Sequence, residues 1–266
     1  MSAIAEASQR LLTAAAGRTP TTPVRDLIGS TDVVAAYAVQ QQVNAARLTA
    51  GAQVIGRKIG LTSLAVQAQL GVDQPDFGVL FDDMQINHDA STPMRRLLQP
   101  KVEAEIAFVL KEGLDGDISA ESVRAAIDYA VVALEIVDSR IADWDITFAD
   151  TVADNASSGL FVLGNTPFDI EEFAPAETLM AMYVDSQLVS SGSGSACLGD
   201  PLHALAWLAR TADAFGEPLR AGQVVLSGAL GPMAPVTAGS RVCAFLSTTG
   251  GRALGSVATC FTQENS

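Results

Sequence analysis

The sequence predicts an α+β protein in which a mixed β-sheet follows a helical N-terminal segment. After residue 50 the predicted strands outnumber the predicted helices and do not alternate regularly with them, which favours a mixed sheet over a doubly wound parallel one. Before residue 50 the apolar residues recur at helical spacing. A chain of 266 residues, 48% apolar and 17% charged, is long enough for one large domain with a sizeable core. We therefore expect a helical segment over residues 1–50 and a β-rich domain over residues 51–266.

The N-terminal segment is expected to contain two helices separated by a linker. The first helix is rich in Ala and should end near Gly17, and the linker, residues 19–23, contains two prolines. Thr31 or Asp32 can cap the second helix, which should run to about Ala50. The apolar stripe of this second helix consists of Ala36, Val39, Val43 and Ala46.

Strands predominate in the rest of the chain. Short apolar runs predict strands over residues 53–59, 102–110, 131–137, 161–163, 178–184, 224–227, 241–246 and 256–261. Helices are predicted over residues 63–70, 121–129 and 201–215. Asp200 as N-cap and Pro201 at the first position open the last of these helices. We expect residues 75–84 to form a loop with a strand-like centre at 78–81, and the SGSGS segment at 191–195 to form a flexible turn.

Charge and cysteine content limit the possible functions. The net charge of −14 argues against a surface for nucleic acid or for anionic membranes, and leaves a small molecule as the expected partner. The N-terminus lacks the pattern of a signal peptide, and no apolar stretch approaches the length needed to span a bilayer. Cys197, Cys243 and Cys260 lack the spacing of a disulfide framework or a zinc site, so we expect reduced thiols in a cytoplasmic protein.

Three glutamates interrupt two of the predicted apolar strands. Glu103 and Glu105 lie within residues 102–110, and Glu135 lies within residues 131–137. An unpaired carboxylate in an apolar strand is costly, so its charge must be compensated. Because alternate residues of a strand share a face, Glu103 and Glu105 point the same way, and Glu135 completes a triad if the two strands are neighbours. Such a triad favours a hard divalent cation; carboxylates paired with Arg or Lys at a rim are the alternative.

Six segments carry specific strings of residues, and these are GRKIGLT at 56–62, LGVDQPDFG at 70–78, QPKVEAEI at 99–106, LEIVDSR at 134–140, VADNASS at 152–158 and SGALGPM at 227–233. They resemble the corresponding segments of the 2-keto-4-pentenoate hydratases, a family within the fumarylacetoacetate hydrolase superfamily. The resemblance extends from about residue 23 to residue 261. It implies a mixed β-roll core and the hydration of 2-hydroxypenta-2,4-dienoate to 4-hydroxy-2-oxopentanoate in aromatic meta-cleavage catabolism.

The resemblance also implies a metal centre. Glu103, Glu105 and Glu135 are expected to hold Mg²⁺ or Mn²⁺, with a 2-oxo acid chelated through its carboxylate and ketone. Three glutamates around a divalent ion keep a net negative charge, and an anionic substrate adds to it, so a nearby cation is needed. Lys58 is the expected cation; a surface lysine at the end of a strand is the alternative interpretation of this residue.

Further residues of the resembling segments are expected to contact the substrate. Asp76 is the candidate general acid or base, or the group that positions water. A turn-forming aspartate is its alternative. Leu61, Phe77, Ser157 and Ser158 are the expected substrate contacts, and Phe77 has a core position as its alternative.

Two other functions share some of these features. The 4-oxalocrotonate decarboxylases carry the same Glu-x-Glu and Asp-Asn-Ala-Ser strings, so decarboxylation of 2-oxohex-3-enedioate is the nearest alternative. A non-catalytic subunit that stabilises a partner decarboxylase is the second. His88 and His203 are expected to be non-catalytic, which separates the chain from the C–C hydrolases of the superfamily. The resemblance further implies a homo-oligomer, with a decamer as one form, and association with a decarboxylase or an aldolase of the pathway.

Overall fold

The computed structural model describes residues 1–116 and 118–263, and for residues 69 and 70 it describes the backbone alone. Its α-helices are α1 (Ala3–Gly17), α2 (Arg25–Ile28), α3 (Val33–Thr49), α4 (Leu64–Leu70), α5 (Ala120–Ala126), α6 (Phe148–Ala153) and α7 (Pro201–Ala214). Its strands are β1 (Val54–Gly60), β2 (Asp76–Phe81), β3 (Gln85–Ile86), β4 (Ser91–Pro93), β5 (Lys101–Leu110), β6 (Ile127–Val137), β7 (Ser158–Leu163), β8 (Leu179–Val184), β9 (Gln187–Ser193), β10 (Val224–Leu226), β11 (Ala234–Pro235), β12 (Arg241–Ser247) and β13 (Ala253–Thr262).

Two mixed sheets form the body of the protein. The larger has the order β2-β1-β10-β5-β6-β7-β3, with β11 also paired to β5, and the smaller has the order β4-β13-β12-β8-β9. Most neighbours are antiparallel, but β1 with β10, β3 with β7 and β4 with β13 are parallel. Both sheets contribute fully buried aromatic side chains to the core, such as Phe108 of β5 and Phe261 of β13. The predicted α+β class with a mixed sheet and N-terminal helices is confirmed.

The N-terminal helices pack on one another and on α6, and α3 also reaches β2 through Gln40. The side chain of Asp32 caps α3 by accepting a hydrogen bond from the backbone N–H of Ala35 at 2.9 Å. One turn further on, Gln40 Nε2 donates to the backbone carbonyls of Phe77 and Val152, both at 2.9 Å. Helix α3 is therefore tied to β2 and α6, and the division of the chain at residue 50 stays a prediction. In the described part of the chain, no helix combines the length and apolar character that crossing a membrane requires.

The helix predicted over residues 121–129 is wrong at its C-terminal end. Helix α5 ends at Ala126, and Ile127 already has extended backbone angles and pairs with Leu110 of β5. Ile127 is fully buried, so packing of this β-branched side chain in the sheet outweighs the local helical pattern.

Two predicted loops contain strand. Strand β2 begins at Asp76, before the strand-like centre expected at 78–81, and Asp76 pairs with Gly60 of β1. Residues 191–193 belong to β9 and pair with β8, so the flexible turn expected there is wrong. Gly192 packs against the backbone of Leu230 so closely that a Cβ would lie 1.9 Å from that carbonyl oxygen. Its lack of a side chain serves close packing rather than flexibility.

Strand β1 is held in register by a glycine. Gly56 pairs with Val224 of the parallel neighbour β10. A Cβ at position 56 would lie 2.0 Å from the backbone oxygen of Val224, a separation that no side chain tolerates. Because side chains alternate along a strand, this register directs Arg57 and Lys58 to opposite faces of the sheet.

Candidate active site and metal centre

Glu103, Glu105 and Glu135, which interrupt the predicted apolar strands, lie together on one face of the larger sheet. Strands β5 and β6 are antiparallel neighbours, with Glu103 directly opposite Glu135 and Glu105 two residues further along the same face. One carboxylate oxygen from each residue lies within 4.8 Å of the others. Glu105 and Glu135 are fully buried and Glu103 is partly buried. The strands that carry the glutamates are therefore neighbours, as the predicted triad requires.

The oxygens of this cluster are poorly satisfied by the protein. Gly228 donates its backbone N–H to Glu105 Oε2 at 2.7 Å, but Glu105 Oε1 and both oxygens of Glu135 accept no hydrogen bond. Burial, together with repulsion from Glu135, raises the pKa of Glu103 to about 7 and the pKa of Glu105 well above its usual value. Buried, unsatisfied carboxylate oxygens on three neighbouring side chains fit a hard divalent cation.

Lys58 supplies the positive charge beside this cluster. It extends from β1, is 3% exposed, and its Nζ lies 3.1 Å from Glu135 Oε1 in an ion pair that lacks hydrogen-bond geometry. Burial by itself lowers the pKa of Lys58, but Glu135, Asp76, Glu103 and Glu105 together outweigh it and raise that pKa. Lys58 is therefore a buried ammonium group rather than a surface lysine.

Asp76 lies next to Lys58 at the start of β2. It is 1% exposed, and its pKa is raised because burial outweighs the attraction of Lys58. Thr151 of α6 joins Asp76 to the candidate substrate contact Ser157: its Oγ1 donates to Asp76 Oδ2 at 3.4 Å and lies 3.2 Å from Ser157 Oγ. Asp76 is thus a strand residue and not a turn residue, held in a chain of polar side chains.

A cavity of about 520 Å³ lies in front of these groups. Four of the residues expected at the site line it beside Glu103, and these are Lys58, Leu61, Asp76 and Ser157. The rest of the wall is largely apolar and includes Val66, Val137, Trp144, Ile146 and Met233. Among the described lining residues, Lys58 is the only cation.

Phe77 and Ser158 are not brought to this cavity. Phe77 follows Asp76 in a strand, so its side chain points to the opposite face, where its ring stacks on Tyr37 at 4.9 Å between centroids. Ser158 is buried and donates its hydroxyl to the backbone oxygen of Asn155 at 2.6 Å. The core alternative for Phe77 agrees with its position in the structure.

Strained backbone is concentrated around the cavity. Asn155, Ala156 and Ser157 have φ values of 54°, 52° and 52°, and Leu61 and Trp144 have φ values of 56°. Such left-handed conformations are unfavourable for residues other than glycine and are typical of functional sites. The turn is held by Asn155, whose Oδ1 accepts from the Val79 N–H at 2.8 Å and whose Nδ2 donates to the Val79 carbonyl at 2.9 Å.

The sequence interpretation missed two residues of this site. Thr151 lies in the short helix α6, which has no chemical motif, and only the fold brings it to Asp76. Trp144 lies in a 3₁₀ turn after β6, where the chain gives no periodic signal, and the Lys101 ammonium lies 4.2 Å from the centre of its ring.

Comparisons with known proteins agree with the sequence resemblance. The family model described as fumarylacetoacetate (FAA) hydrolase C-terminal matches residues 40–261. The chain is 53% identical over 238 residues to the TodF product hydratase of Pseudomonas putida, covering 89% of each protein. It is 49% identical over 265 residues to the 2-keto-4-pentenoate hydratase of Burkholderia vietnamiensis, covering 98% of each.

A solved structure shares the whole fold. The 4-oxalocrotonate decarboxylase from Pseudomonas putida, complexed with magnesium and adipate, matches with a TM-score of 0.91 and 31% identity, covering 97% of each chain. The resemblance first seen in short segments is thereby confirmed over the length of the protein. The chain belongs to the fumarylacetoacetate hydrolase superfamily and, within it, to the family of the 2-keto-4-pentenoate hydratases.

Proposed function

We propose that this protein is a hydro-lyase that converts 2-hydroxypenta-2,4-dienoate into 4-hydroxy-2-oxopentanoate. The observation that carries the proposal is a buried carboxylate cluster with one buried lysine, beside a cavity whose other walls are largely apolar. This arrangement suits a small unsaturated acid with one charged end and one apolar end. The hydratase names of relatives near half identity support the same reaction.

We assign Glu103, Glu105 and Glu135 as the ligands of Mg²⁺ or Mn²⁺. Their unsatisfied oxygens support the assignment, as do the structurally similar proteins that are complexed with magnesium, calcium or manganese. When bound, the cation acts as a Lewis acid that stabilises negative charge on the C2 oxygen of the substrate.

The protein side chains divide the remaining work. Lys58 balances the charge that the anionic substrate adds to the three glutamates. Ser157 and the backbone of Leu61 line the cavity and orient the substrate carboxylate. Both of these residues hold left-handed backbone conformations, so their positions are fixed before the substrate arrives.

Asp76 is the proton carrier in this proposal. In the first step the C2 hydroxyl loses a proton and C5 gains one, which converts the dienol into an α,β-unsaturated ketone. In the second step the oxygen of water bonds to C4 while water loses a proton and C3 gains one. Burial raises the pKa of Asp76, which favours the protonated form that a proton donor needs, and Thr151 keeps the carboxyl oriented.

The charge of the cavity favours a monoacid over a diacid. A six-carbon diacid substrate carries a second carboxylate at the far end of the chain. Apart from Lys58, the described lining residues include no cation, so a second carboxylate would be desolvated without a partner on the cavity wall. This supports hydration of a dienoate over decarboxylation of 2-oxohex-3-enedioate.

The test follows the dienoate absorbance of 2-hydroxypenta-2,4-dienoate with the purified protein. We expect loss of absorbance with 4-hydroxy-2-oxopentanoate as the product, arrest by EDTA, and recovery on addition of Mg²⁺ or Mn²⁺. Release of CO₂ from 2-oxohex-3-enedioate would instead identify the decarboxylase. Inactivity on both substrates under every metal condition would favour a non-catalytic partner subunit.

We further propose that the chain self-associates and acts in the cytoplasm. Three apolar side chains, Leu179, Tyr183 and Phe245, lie on one face of the smaller sheet, and Leu179 and Phe245 are 44% and 49% exposed. Such a patch is typical of a contact surface. Light scattering should give a mass above that of a monomer, and the Phe245→Ser variant should lower it. Association with a pathway decarboxylase or aldolase, and the number of subunits, stay predictions.

A further inference from the structure

A second cavity lies behind the proposed active site. It has a volume of about 370 Å³ and is formed by α3, β1, β2 and the end of α7. Arg57 and Phe77 line it, whereas their chain neighbours Lys58 and Asp76 line the first cavity. The alternation of side chains in β1 and β2 therefore sets two cavities back to back across one layer of sheet.

Aromatic rings form one wall of this second cavity. The rings of Tyr37 and Phe77 stack with 4.9 Å between centroids and an interplanar angle of 24°. The ring of Phe215 lies 4.9 Å from that of Tyr37 and is 42% exposed, so it lies where the cavity opens. A wall of this kind favours a flat aromatic ligand, because ring stacking adds to the burial of apolar surface.

Arg57 lines the cavity and carries a buried donor that has no partner. Its side chain is 6% exposed, its Nη1 donates to the backbone oxygen of Gly56 at 3.2 Å, and its Nη2 pairs with Glu217 at 3.0 Å. Its Nε has no hydrogen-bond partner. Glu217 already balances the guanidinium charge, so the group that Nε can bind is a neutral acceptor rather than a further anion.

Asn44 lines the same cavity and carries a buried acceptor that has no partner. Its side chain is 8% exposed and its Nδ2 donates to Asn155 Oδ1 at 3.4 Å. That oxygen is fixed as an acceptor because it also accepts from the Val79 N–H at 2.8 Å, so the Asn44 amide cannot be turned around. Asn44 Oδ1 is left without a partner. Leaving such a buried group unsatisfied is unfavourable, and a ligand that donates a hydrogen bond to it removes this cost.

We propose that this second cavity binds a small neutral hydroxylated aromatic compound of the phenol class. A hydroxyl group both accepts and donates hydrogen bonds, so it suits a site with one free donor, Arg57 Nε, and one free acceptor, Asn44 Oδ1. The ring of the ligand lies against Tyr37, Phe77 and Phe215. None of the groups assigned to metal binding or proton transfer takes part, so the proposal stands apart from the proposed hydration.

The test uses tryptophan fluorescence with phenol as the probe. The chain has two tryptophans, and the ring of Trp207 lies 6.4 Å from that of Phe77. In the Trp144→Phe variant, excited where phenol does not absorb, we expect a saturable change in Trp207 emission. In the Trp207→Phe variant, which keeps only Trp144 at the first cavity, we expect no saturable change.

Three related probes test the chemistry of the ligand. Toluene lacks the hydroxyl, cyclohexanol lacks the aromatic ring, and benzoate carries a negative charge. Each should bind at least about tenfold more weakly than phenol, equivalent to the loss of roughly 1.4 kcal/mol. Equal binding of phenol and toluene would overturn the role of the two polar groups.

Two variants on α3 locate the site. Ala45 lines the cavity and is solvent-exposed, so Ala45→Phe should fill the cavity and abolish the phenol response. Ala50→Phe at the exposed C-cap of α3, a position that does not line the cavity, is the matched control and should leave the response unchanged. Asn44→Ala should weaken binding about tenfold, the size of one lost hydrogen bond. Absence of a saturable response to phenol, or an unchanged response in Ala45→Phe, contradicts the proposal.

Discussion

Glu103 of β5 and Glu135 of β6 lie directly opposite each other in the antiparallel ladder. Like charges in this position destabilise a sheet. The fold compensates in part with Lys58, 3.1 Å from Glu135 Oε1, and leaves several carboxylate oxygens without a hydrogen bond. The cluster is thus a charged site that the protein alone does not complete.

The Glu105→Gln variant should separate metal binding from folding. We expect it to abolish hydration and to weaken metal affinity by at least about 100-fold, beyond the effect of altering residues that only orient ligands. The metal-free variant should be more stable than the metal-free parent by roughly 2 kcal/mol, because one buried repulsive charge is removed. Calorimetric metal titration and thermal unfolding measure both effects. Glu177→Gln, at an exposed position, is the control. Full activity in Glu105→Gln would contradict the assignment of this residue as a metal ligand.

The stability of the metal-free protein should depend on pH. Burial and repulsion from Glu135 raise the pKa of Glu103 to about 7 from a usual value of 4.5, and the pKa of Glu105 shifts the same way. Between pH 4.5 and about pH 7 the folded chain holds more protons than the unfolded chain. The free energy of unfolding therefore falls as pH rises through this interval. Melting temperatures measured in EDTA across the interval should decline. Because the cation needs ionised carboxylates, the gain on adding Mg²⁺ should grow over the same interval; a gain independent of pH would contradict the assignment.

Removal of the buried Lys58 ammonium group should lower both the hydration activity and the free energy of unfolding. Lys58→Met leaves Glu135 without its ion pair, and breaking a buried pair from one side costs about 3–5 kcal/mol. We expect lost hydration and a lower melting temperature in the metal-free protein. Lys111→Met, at an exposed position, is the control. A Lys58→Met protein with the parent's melting temperature would mean that Lys58 does not balance the cluster.

The strained turn should depend on the Asn155 side chain. Asn155→Ala removes both hydrogen bonds to Val79 and places alanine at a left-handed position. We expect a loss of about 1–3 kcal/mol in the free energy of unfolding and a lower kcat/KM, because the neighbouring Ser157 is no longer fixed. Chemical denaturation and steady-state kinetics measure these effects. The exposed Asn165→Ala substitution should change neither quantity.

The apolar wall should control which C5 substituent is accepted. Ile146 lines the cavity and is partly buried. Ile146→Ala enlarges the cavity, so a 5-alkyl dienoate should fit better. The ratio of its kcat/KM to that of the unsubstituted dienoate should rise by about tenfold, as expected for a change of this size in an apolar pocket. Competition between the two substrates measures the ratio directly. An unchanged ratio would remove Ile146 from substrate selection.

The carboxylate triad was accessible to sequence reasoning because its signal is local. Glu103 and Glu105 share a strand face by spacing alone, and their apolar surroundings mark them as unusual. The pairing of β5 with β6 brings in Glu135, and no local pattern contains that information, because strand partners are chosen by the whole sheet.

The predicted substrate contact of Phe77 came from the resemblance, and the strand that begins at Asp76 was not predicted. With residues 75–84 interpreted as a loop, Asp76 and Phe77 could both reach one cavity. Once β2 begins at Asp76, alternation requires that the two side chains lie on opposite faces. Thr151 could not be identified from the sequence for a different reason. It is 75 residues from Asp76 in the chain, and its helix contains no chemical motif.

The glycine at position 56 has a consequence for how the protein tolerates genetic variation. Its backbone contact with Val224 fixes which of Arg57 and Lys58 faces the carboxylates. A slip of one residue would exchange them and turn every side chain of β1 to the wrong face. A saturation library of β1 should therefore retain only glycine at position 56, although this residue binds no ligand. Both cavities thus depend on the absence of a Cβ atom at this position.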